Sequence, residues 1–287
     1  MTPTDIFEGE RRRLIRLAYR MLGSLAEAED AVQDAWLRWS AVDPAGIDAP
    51  QAWLVRVITR LCLDRLKSAR ARRETYVGPW LPEPLVEEVT ADPLERAEDI
   101  SVAFLLALQR LSPLERAVFL LHDVFDQDYA AVADSLGRSE PACRQLAARA
   151  RQHVRDARPR FQVSEEEAGR LAGAFLQAAA SNDMSAIASL LTEDAVLISD
   201  GGGKRKAALR PMIGREDVLT LLRGLAWRHE RWADLETARV VRINGLPGLV
   251  LQMDDGPATL SLEASGDGRI SAIYIVRNPE KLSRINR

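Results

Sequence analysis

The sequence predicts a multidomain chain: two all-α helical modules, the second carrying a helix-turn-helix, followed by an α+β domain. Three observations predict it. Apolar residues recur at helical intervals through residues 1–160. Within that stretch, Asp128–Arg151 reads as two short helices joined by a glycine turn. Beyond Ser164 the pattern changes to helices followed by short alternating runs between turn residues, which places helices against one face of a sheet.

Composition narrows the classes. A chain of 287 residues with 47% hydrophobic content has room for two or three packed domains. No apolar run approaches the roughly 18 residues of a membrane span, and no hydrophobic segment follows the start MTPTDIFEGERRR. Neither a transmembrane helix nor a signal peptide is expected, and the location expected is the cytoplasm. Cys62 and Cys143 both fall in helical patterns without a CxxC or a nearby histidine, so buried thiols are expected rather than a metal site or disulfide. No cofactor is expected. The net charge of −3 conceals an uneven distribution: Arg56–Arg73 and Arg138–Arg160 are dense in arginine, and Glu83–Asp99 is dense in acid.

In order, Thr4–Gly23 reads as a helix with Ile6, Leu14, Leu17, Ala18, Met21 and Leu22 on one face and Gly23 suited to end it. Ser24 and Glu27 then form a capping box for a second helix. Its apolar stripe is Ala28, Ala31, Val32, Ala35, Trp36 and Trp39. Glu27, Asp30 and Asp34 make an acidic stripe on another face, which by itself reads as solvated surface. Residues 43–50 form a loop by their proline, glycine and aspartate content.

The third helix, WLVRVITRLCLDRLKSARARR, turns Trp53, Val57 and Leu61 inward and lines Arg56, Arg60 and Lys67 outward. Asp64, four residues after Arg60, is placed to pair with it. A basic helix with an aromatic near its start suits single-stranded DNA, since cations meet phosphates and flat side chains meet unstacked bases. A solvated basic helix has the same pattern.

Residues 74–99, ETYVGPWLPEPLVEEVTADPLERAED, are rich in proline and acid and read as an extended linker. Trp80 and Leu81 beside prolines read further as a docking segment, because exposed large apolar residues generally have a partner. In the hairpin that follows, Val132, Leu136, Cys143 and Leu146 pack two crossed helices, Ala133 allows close approach, and Gly137 supplies the turn. Cys143, Leu146, Ala147, Ala150 and Val154 face inward, leaving Arg144, Gln145, Arg149 and Arg151 elsewhere. A DNA-reading motif and an ordinary helical hairpin share this arrangement.

EDAVQDAWLRW, then WLVRVITRLCLDRL, then the hairpin preceded by LSPLERAVFLLHDVF, resemble in that order the two modules of an extracytoplasmic-function sigma factor of the sigma-70 family. The resemblance implies that residues 1–75 bind core RNA polymerase and melt the minus-10 promoter element. It also implies that residues 101–160 read the minus-35 element, with residues 76–100 as the linker between them. Carried over by position, Asp30, Gln33 and Asp34 face the polymerase, which promotes the acidic stripe to an interface. Trp53, Arg56, Arg60 and Arg65 surround the melted strand, with Arg60 standing where many members carry asparagine. Arg138, Arg144, Gln145 and Arg149 lie at the minus-35 groove, their arginines on guanine edges or phosphates.

After Ser164, SEEEAGRLAGAFLQAAASND reads as a capped helix with Leu171, Phe175, Leu176 and Ala179 inward, and Met184–Leu191 as a short second helix. A strand ending at Asp200, a helix over residues 215–230, and the runs ARVVRI, GLVLQM, ATLSLEA and ISAIYIV follow, the runs paired antiparallel across turn signals. This half, residues 164–287, is similar to SnoaL-like domains of the nuclear-transport-factor and ketosteroid-isomerase fold, whose pocket serves catalysis, ligand binding or dimerisation. The resemblance therefore allows a small-molecule ligand. Asp194, Asp200, His229 and Tyr274 are the residues from which isomerase-like chemistry would have to be built, and nothing in their spacing requires it.

Three further motifs match the SigJ-like group of these sigma factors, which carry a fused SnoaL-like domain. They are WLPEP at Trp80, Leu81, Pro82, Glu83 and Pro84; DGGGK at Asp200, Gly201, Gly202, Gly203 and Lys204; and NPEKL at Asn278, Pro279, Glu280, Lys281 and Leu282. The last has glutamate where the usual motif has aspartate. What this resemblance implies is regulation in cis, with no obligatory anti-sigma protein; neither a membrane partner nor an independent catalytic site is expected. The rival classes are a ligand-sensing helix-turn-helix regulator and a SnoaL-like enzyme with a DNA-binding appendage. Neither rival needs the acidic stripe or the Trp53 helix. Read singly, DGGGK is a flexible turn and NPEKL a helix start with proline at its first position.

Overall fold

The computed structural model describes residues 2–43, 46–73, 76–88, 101–155, 165–228 and 234–285. The chain forms two compact units, one of Met1–Thr75 with Ala103–Arg158 and one of Tyr76–Val102 with Pro159–Arg287. Residues 76–88, read from the sequence as linker, therefore belong to the second unit. Ser164, the expected cap of the next helix, and His229 lie outside the described residues.

In the first unit, α1 (Pro3–Leu22) starts on a capping box: Thr2 Oγ1 accepts Asp5 N–H at 3.2 Å while the Asp5 carboxylate accepts Thr2 N–H at 2.7 Å. Gly23 ends the helix, its N–H donating to Tyr19 O. Ser24 Oγ accepts Glu27 N–H at 3.2 Å to open α2 (Leu25–Ser40). With α3 (Pro50–Arg73), these helices bury Leu14, Leu17, Met21, Ala28, Trp39, Leu54 and Ile58. Each large side chain so buried contributes about 1.5–3 kcal/mol. The Trp39 indole also donates to Pro3 O at 2.8 Å, which satisfies its one polar atom.

The same unit continues with α4 (Val102–Gln109), α5 (Pro113–Phe119), a π turn over Leu120–Val124, α6 (Tyr129–Leu136) and α7 (Glu140–Arg155). Asp128 caps α6 by accepting Ala131 N–H, and Gly137 turns the chain at φ 63°. Val132, Ala133, Cys143, Ala147, Ala150 and Val154 are buried, α7 packing on α5 as well as on α6, and Cys62 and Cys143 are both free, buried thiols. Burial pushes the Cys62 thiol up to about 12, so it stays protonated and inert. Arg116 on α5, only 2% exposed, donates to Met21 O and to Gln109 Oε1, tying α5 to the carbonyl end of α1, where a cation suits the helix dipole.

The second unit is a seven-stranded sheet in the order β1-β4-β5-β6-β7-β2-β3 among the described residues, with helices on one side. Its elements are β1 (Val86–Glu88), α8 (Glu165–Ala180), α9 (Met184–Leu190), β2 (Leu191–Asp200), β3 (Met212–Ile213), α10 (Arg215–Arg228), β4 (Asp234–Ile243), β5 (Leu246–Met253), β6 (Gly256–Ala264) and β7 (Ile270–Val276). The β4 to β7 meander is antiparallel as the turn signals predict, and β2 joins β7 in parallel. Leu197, Leu249, Leu251, Leu260, Leu262 and Ile273 point from the sheet into a core shared with Leu171, Phe175, Ile187 and Leu222 of the helices. By strand register, Asp200, Val250, Thr259, Ser261, Glu263 and Tyr274 lie on the opposite face. There Val86 and Ile285 pack against Val241, Ile243 and Val250, so the former linker and the C-terminal tail both cover it.

Three local expectations change. Residues 86–88 form an edge strand on β4, with Val86 opposite Ile243, where the sequence reads as linker. Asn278–Leu282 forms successive turns in place of a helix start, with Lys281 N–H on Asn278 O and Leu282 N–H on Pro279 O. Asp64 pairs with Lys67 at 3.0 Å instead of with Arg60, because Arg60 finds an acceptor on another helix.

Candidate nucleic-acid interface and linker anchor

On α2, the spacing of Asp30, Gln33, Asp34 and Leu37 puts all four on one stripe. Asp30 and Gln33 are exposed, Asp34 is half-buried, and Leu37 is 59% exposed. The sequence reading passed over Leu37 because its neighbour Trp36 completes the inward face. Arg65 of α3 reaches this same stripe: its Nη2 meets Asp34 Oδ2 at 2.7 Å, its Nη1 donates to Glu27 O at 3.1 Å, and Asp30 lies at 4.0 Å. The structure thus joins one residue assigned to the melted strand with two assigned to the polymerase.

The other α3 candidates face differently. Trp53 is half-buried against Trp39, ring centroids 5.5 Å apart and tilted by 52°. Arg56 donates through Nη2 to Asp134 of α6, and Arg60 donates through Nε to Ser135 O at 3.4 Å. Neither Asp134 nor Ser135 carries a sequence signal, since their meaning depends on α3 lying against α6.

On α7, Arg144, Gln145 and Arg149 are exposed, as is Arg138 in the turn. Arg144 pairs with Glu140 at 2.6 Å, and its guanidinium sits 5.2 Å from the Tyr129 ring centroid. His122 also stacks on that ring, at 3.9 Å. Arg149 lies 3.7 Å from Glu115. Arg151 is held inward, donating to Asp123 at 2.6 Å and to the Tyr129 hydroxyl at 3.1 Å. The result is a row of cations on α7 with its first member, Arg144, pre-oriented by a ring and a carboxylate.

In the second unit the three motifs converge on Asp200, which is fully buried at the end of β2. Its Oδ1 accepts the Tyr76 hydroxyl at 2.6 Å and Gly202 N–H at 2.9 Å. Its Oδ2 accepts Leu81 N–H at 2.8 Å and the Lys281 ammonium at 2.7 Å. Lys281 also donates to Leu81 O and lies 4.3 Å from the Trp80 ring centroid and 5.2 Å from that of Tyr76. Asn278, itself buried, donates to the Tyr76 hydroxyl at 2.9 Å, and its N–H donates to Asp200 O at 3.0 Å. Leu81, Pro82, Glu83, Pro84 and Leu282 are buried, and Pro279 is half-buried. Lys204 pairs with Glu280, the glutamate that departs from the usual motif.

The glycines of DGGGK make this approach feasible. A Cβ on Gly201 would lie 2.2 Å from Arg205 O, and one on Gly202, at φ 61°, would lie 2.3 Å from Asn278 Nδ2. At Gly203 the added atom would press on Val77 at 3.0 Å. Tyr76 is the member of the cluster that sequence reasoning missed. Burial and its bond to Asp200 push its hydroxyl up, so it stays protonated, donating to Asp200 while it accepts from Asn278.

Among the described residues, Asp194, Asp200 and Tyr274, considered for isomerase chemistry, do not assemble. Asp194 is exposed at an open surface pocket beside Asp267 and Arg269. Asp200 is engaged by the linker and tail, and Tyr274 donates to the buried Glu263 at 2.6 Å. Neither Asp200 nor Tyr274 points toward the helices.

Residues 6–72 match the model of sigma-70 region 2, and residues 101–154 match that of sigma-70 region 4. The chain is 38% identical over 290 residues to the ECF RNA polymerase sigma factor SigJ of Mycobacterium tuberculosis, covering 96% of this chain and 92% of that one. To the probable ECF RNA polymerase sigma factor SigI of the same organism it is 31% identical over 286 residues, covering 96% and 93%. The crystal structure of the Mycobacterium tuberculosis extracytoplasmic function sigma factor SigJ superposes with a TM-score of 0.80 at 35% identity, over 98% of each chain. A row of cations on a helix-turn-helix and an acidic stripe on α2 are thus found where two sigma-70 regions match in order, and the chain belongs to the extracytoplasmic-function family of RNA polymerase sigma factors.

Proposed function

We propose that this sigma factor docks core RNA polymerase on the α2 stripe, reads promoter DNA with α3 and α7, and is controlled in cis by its C-terminal unit through the linker. Asp30, Gln33, Asp34 and Leu37 form the polymerase face. Trp53, Arg56 and Arg60 take the melted minus-10 strand, where phosphate contacts and stacking offset the few kcal/mol of unstacking. Arg138, Arg144, Gln145 and Arg149 meet the minus-35 element, and Arg65 holds the acidic stripe in place. The factor works in the cytoplasm, without a membrane partner, an obligatory anti-sigma protein or a catalytic site of its own. A small-molecule ligand is an additional input that this reading does not require.

The observation that carries cis control is the saturation of Asp200 by two linker donors, one loop donor and one tail donor. Residues 74–100 would reach about 90 Å if fully extended. Residues 76–88, fixed to the sheet, are withdrawn from that reach, so the linker's hold on the sheet sets how far apart the DNA-reading modules can move. Such control works by differential stability of the bound and released linker.

In vitro transcription with core polymerase and the full chain tests the reading. Removing residues 278–287 should change promoter output several-fold while leaving promoter preference unchanged. Unchanged output from a chain ending at Pro159 would remove cis control, and failure to bind core polymerase would remove the whole reading.

A further inference from the structure

The contact between α3 and α6 does more than pack the first unit. Arg56 and Arg60, two of the arginines placed at the melted strand, are both occupied by α6: one by the Asp134 carboxylate, the other by the Ser135 carbonyl in the last turn of that helix. A carboxylate and the negative end of a helix dipole offer guanidinium groups anionic acceptors of the kind that successive phosphates would offer. We infer that α6 serves as an internal strand mimic, its Asp134 and Ser135 O competing with single-stranded DNA for Arg56 and Arg60.

Geometry makes the competition all or none. Two helices in packing contact, as α3 and α6 are, have axes about 8–10 Å apart. Minus-10 and minus-35 elements lie about 25 base pairs apart, about 85 Å along the duplex at 3.4 Å per base pair. A chain that reads both elements must therefore take α6 away from α3, and the same step frees Arg56 and Arg60. Strand capture and separation of the two DNA-reading modules become one event.

The lock is built to open. Asp134 is 62% exposed and Arg56 35% exposed, so the pair is screened and individually weak. Closure is shared with the buried Arg116, which bonds Met21 O, and with Arg13 and Arg20, whose guanidinium groups lie 5.8 Å and 5.4 Å from the Phe125 ring centroid. The inference rests on the proposed minus-10 role of α3, and the test separates the two.

The full chain is titrated, without polymerase, against a fluorescent 20-nucleotide single strand of random sequence. Asp134→Ala should tighten binding about two- to five-fold, the range expected for loss of one exposed ion pair. In an Arg56→Ala background the same substitution should have no effect. Lack of tightening in Asp134→Ala, or equal tightening with Arg56 absent, would overturn the mimic, the second outcome showing only a change of net charge. Arg56→Ala alone should weaken binding. If it does not, the α3 reading fails on its own terms and the mimic with it.

Discussion

Asp200 and Lys281 lie 2.7 Å apart with the carboxylate fully buried, and between them they hold the Leu81 peptide at both ends, N–H on Asp200 and carbonyl on Lys281. The two oxygens of Asp200 accept from Tyr76, Gly202, Leu81 and Lys281, which fills the roughly four acceptor sites a carboxylate offers. One side chain therefore joins the linker, the glycine loop and the tail.

Lys281→Met keeps a flexible, unbranched side chain and removes the ammonium that sits over Trp80. A buried carboxylate left without its cation costs about 3–5 kcal/mol. The expected outcome is a lower thermal midpoint for the C-terminal unit and faster proteolysis within residues 76–88. Identical cleavage and melting in the variant would show that the pair does not hold the linker.

Gly202→Ala should loosen the same cluster from the loop side. A left-handed backbone costs an L-residue about 1–2 kcal/mol, and the added Cβ would drive Asn278 off the Tyr76 hydroxyl. Gly224 in α10 is the matched control, because a Cβ there meets nothing within 4 Å. Gly224→Ala should be neutral or stabilising by up to about 1 kcal/mol. Calorimetry on the two variants checks the contrast.

Glu263 gives the second unit a pH dependence. Burial raises its carboxyl, with the Tyr274 bond opposing. A carboxyl raised on folding is protonated in the folded chain where the unfolded chain has already ionised. Its contribution to stability is therefore whole below the unfolded value, about 4.3, and is lost as pH rises through the folded value. Glu263→Gln should melt like wild type at pH 4 and above it at pH 7.5. A constant difference between the two proteins across that range would assign the effect to packing instead of ionisation.

Where periodicity and a cap coincide, the fold is legible from residues alone. The α1 register, the Ser24 cap and the Gly137 turn all sit within a residue or two of their expected places, because each depends on neighbours in sequence. The strand at 86–88 is not legible, since three residues carry no pattern and their partner strand runs to Ile243. The same reason hides the Arg60 contact: Asp64 is the partner a local rule supplies, whereas Ser135 lies 75 residues away. The motifs around Asp200 were found by resemblance, but their meeting at one carboxylate depends on separations of 119 and 81 residues. Tyr76 had no signal, because one tyrosine ahead of a proline motif fits a spacer equally well.

On the proposed reading, Arg144 is the α7 side chain best prepared to read a base, held by Glu140 and the Tyr129 ring. Arg144→Ala should cost roughly 1–3 kcal/mol of promoter affinity and relax preference at one minus-35 position. If Arg144 contacts phosphate only, the loss will be uniform across promoter variants and the salt dependence shallower by about one charge. Competition binding over a set of single-base minus-35 variants distinguishes the two outcomes.

Arg65 separates the two jobs proposed for α3. Its Nη groups bond Asp34 and Glu27 O, so its charge is directed to the α2 stripe, whereas Arg56 and Arg60 lie on the α6 side. An ion pair this exposed contributes about 1 kcal/mol at most, or about five-fold in a dissociation constant. Arg65→Ala should therefore weaken association with core polymerase by a few-fold, through a misplaced Asp34, and leave single-strand binding nearly unchanged. Arg56→Ala should do the reverse. If Arg65→Ala instead lowers strand binding and spares polymerase association, Arg65 belongs to the minus-10 face after all, and its bond to Asp34 is a resting contact that DNA displaces.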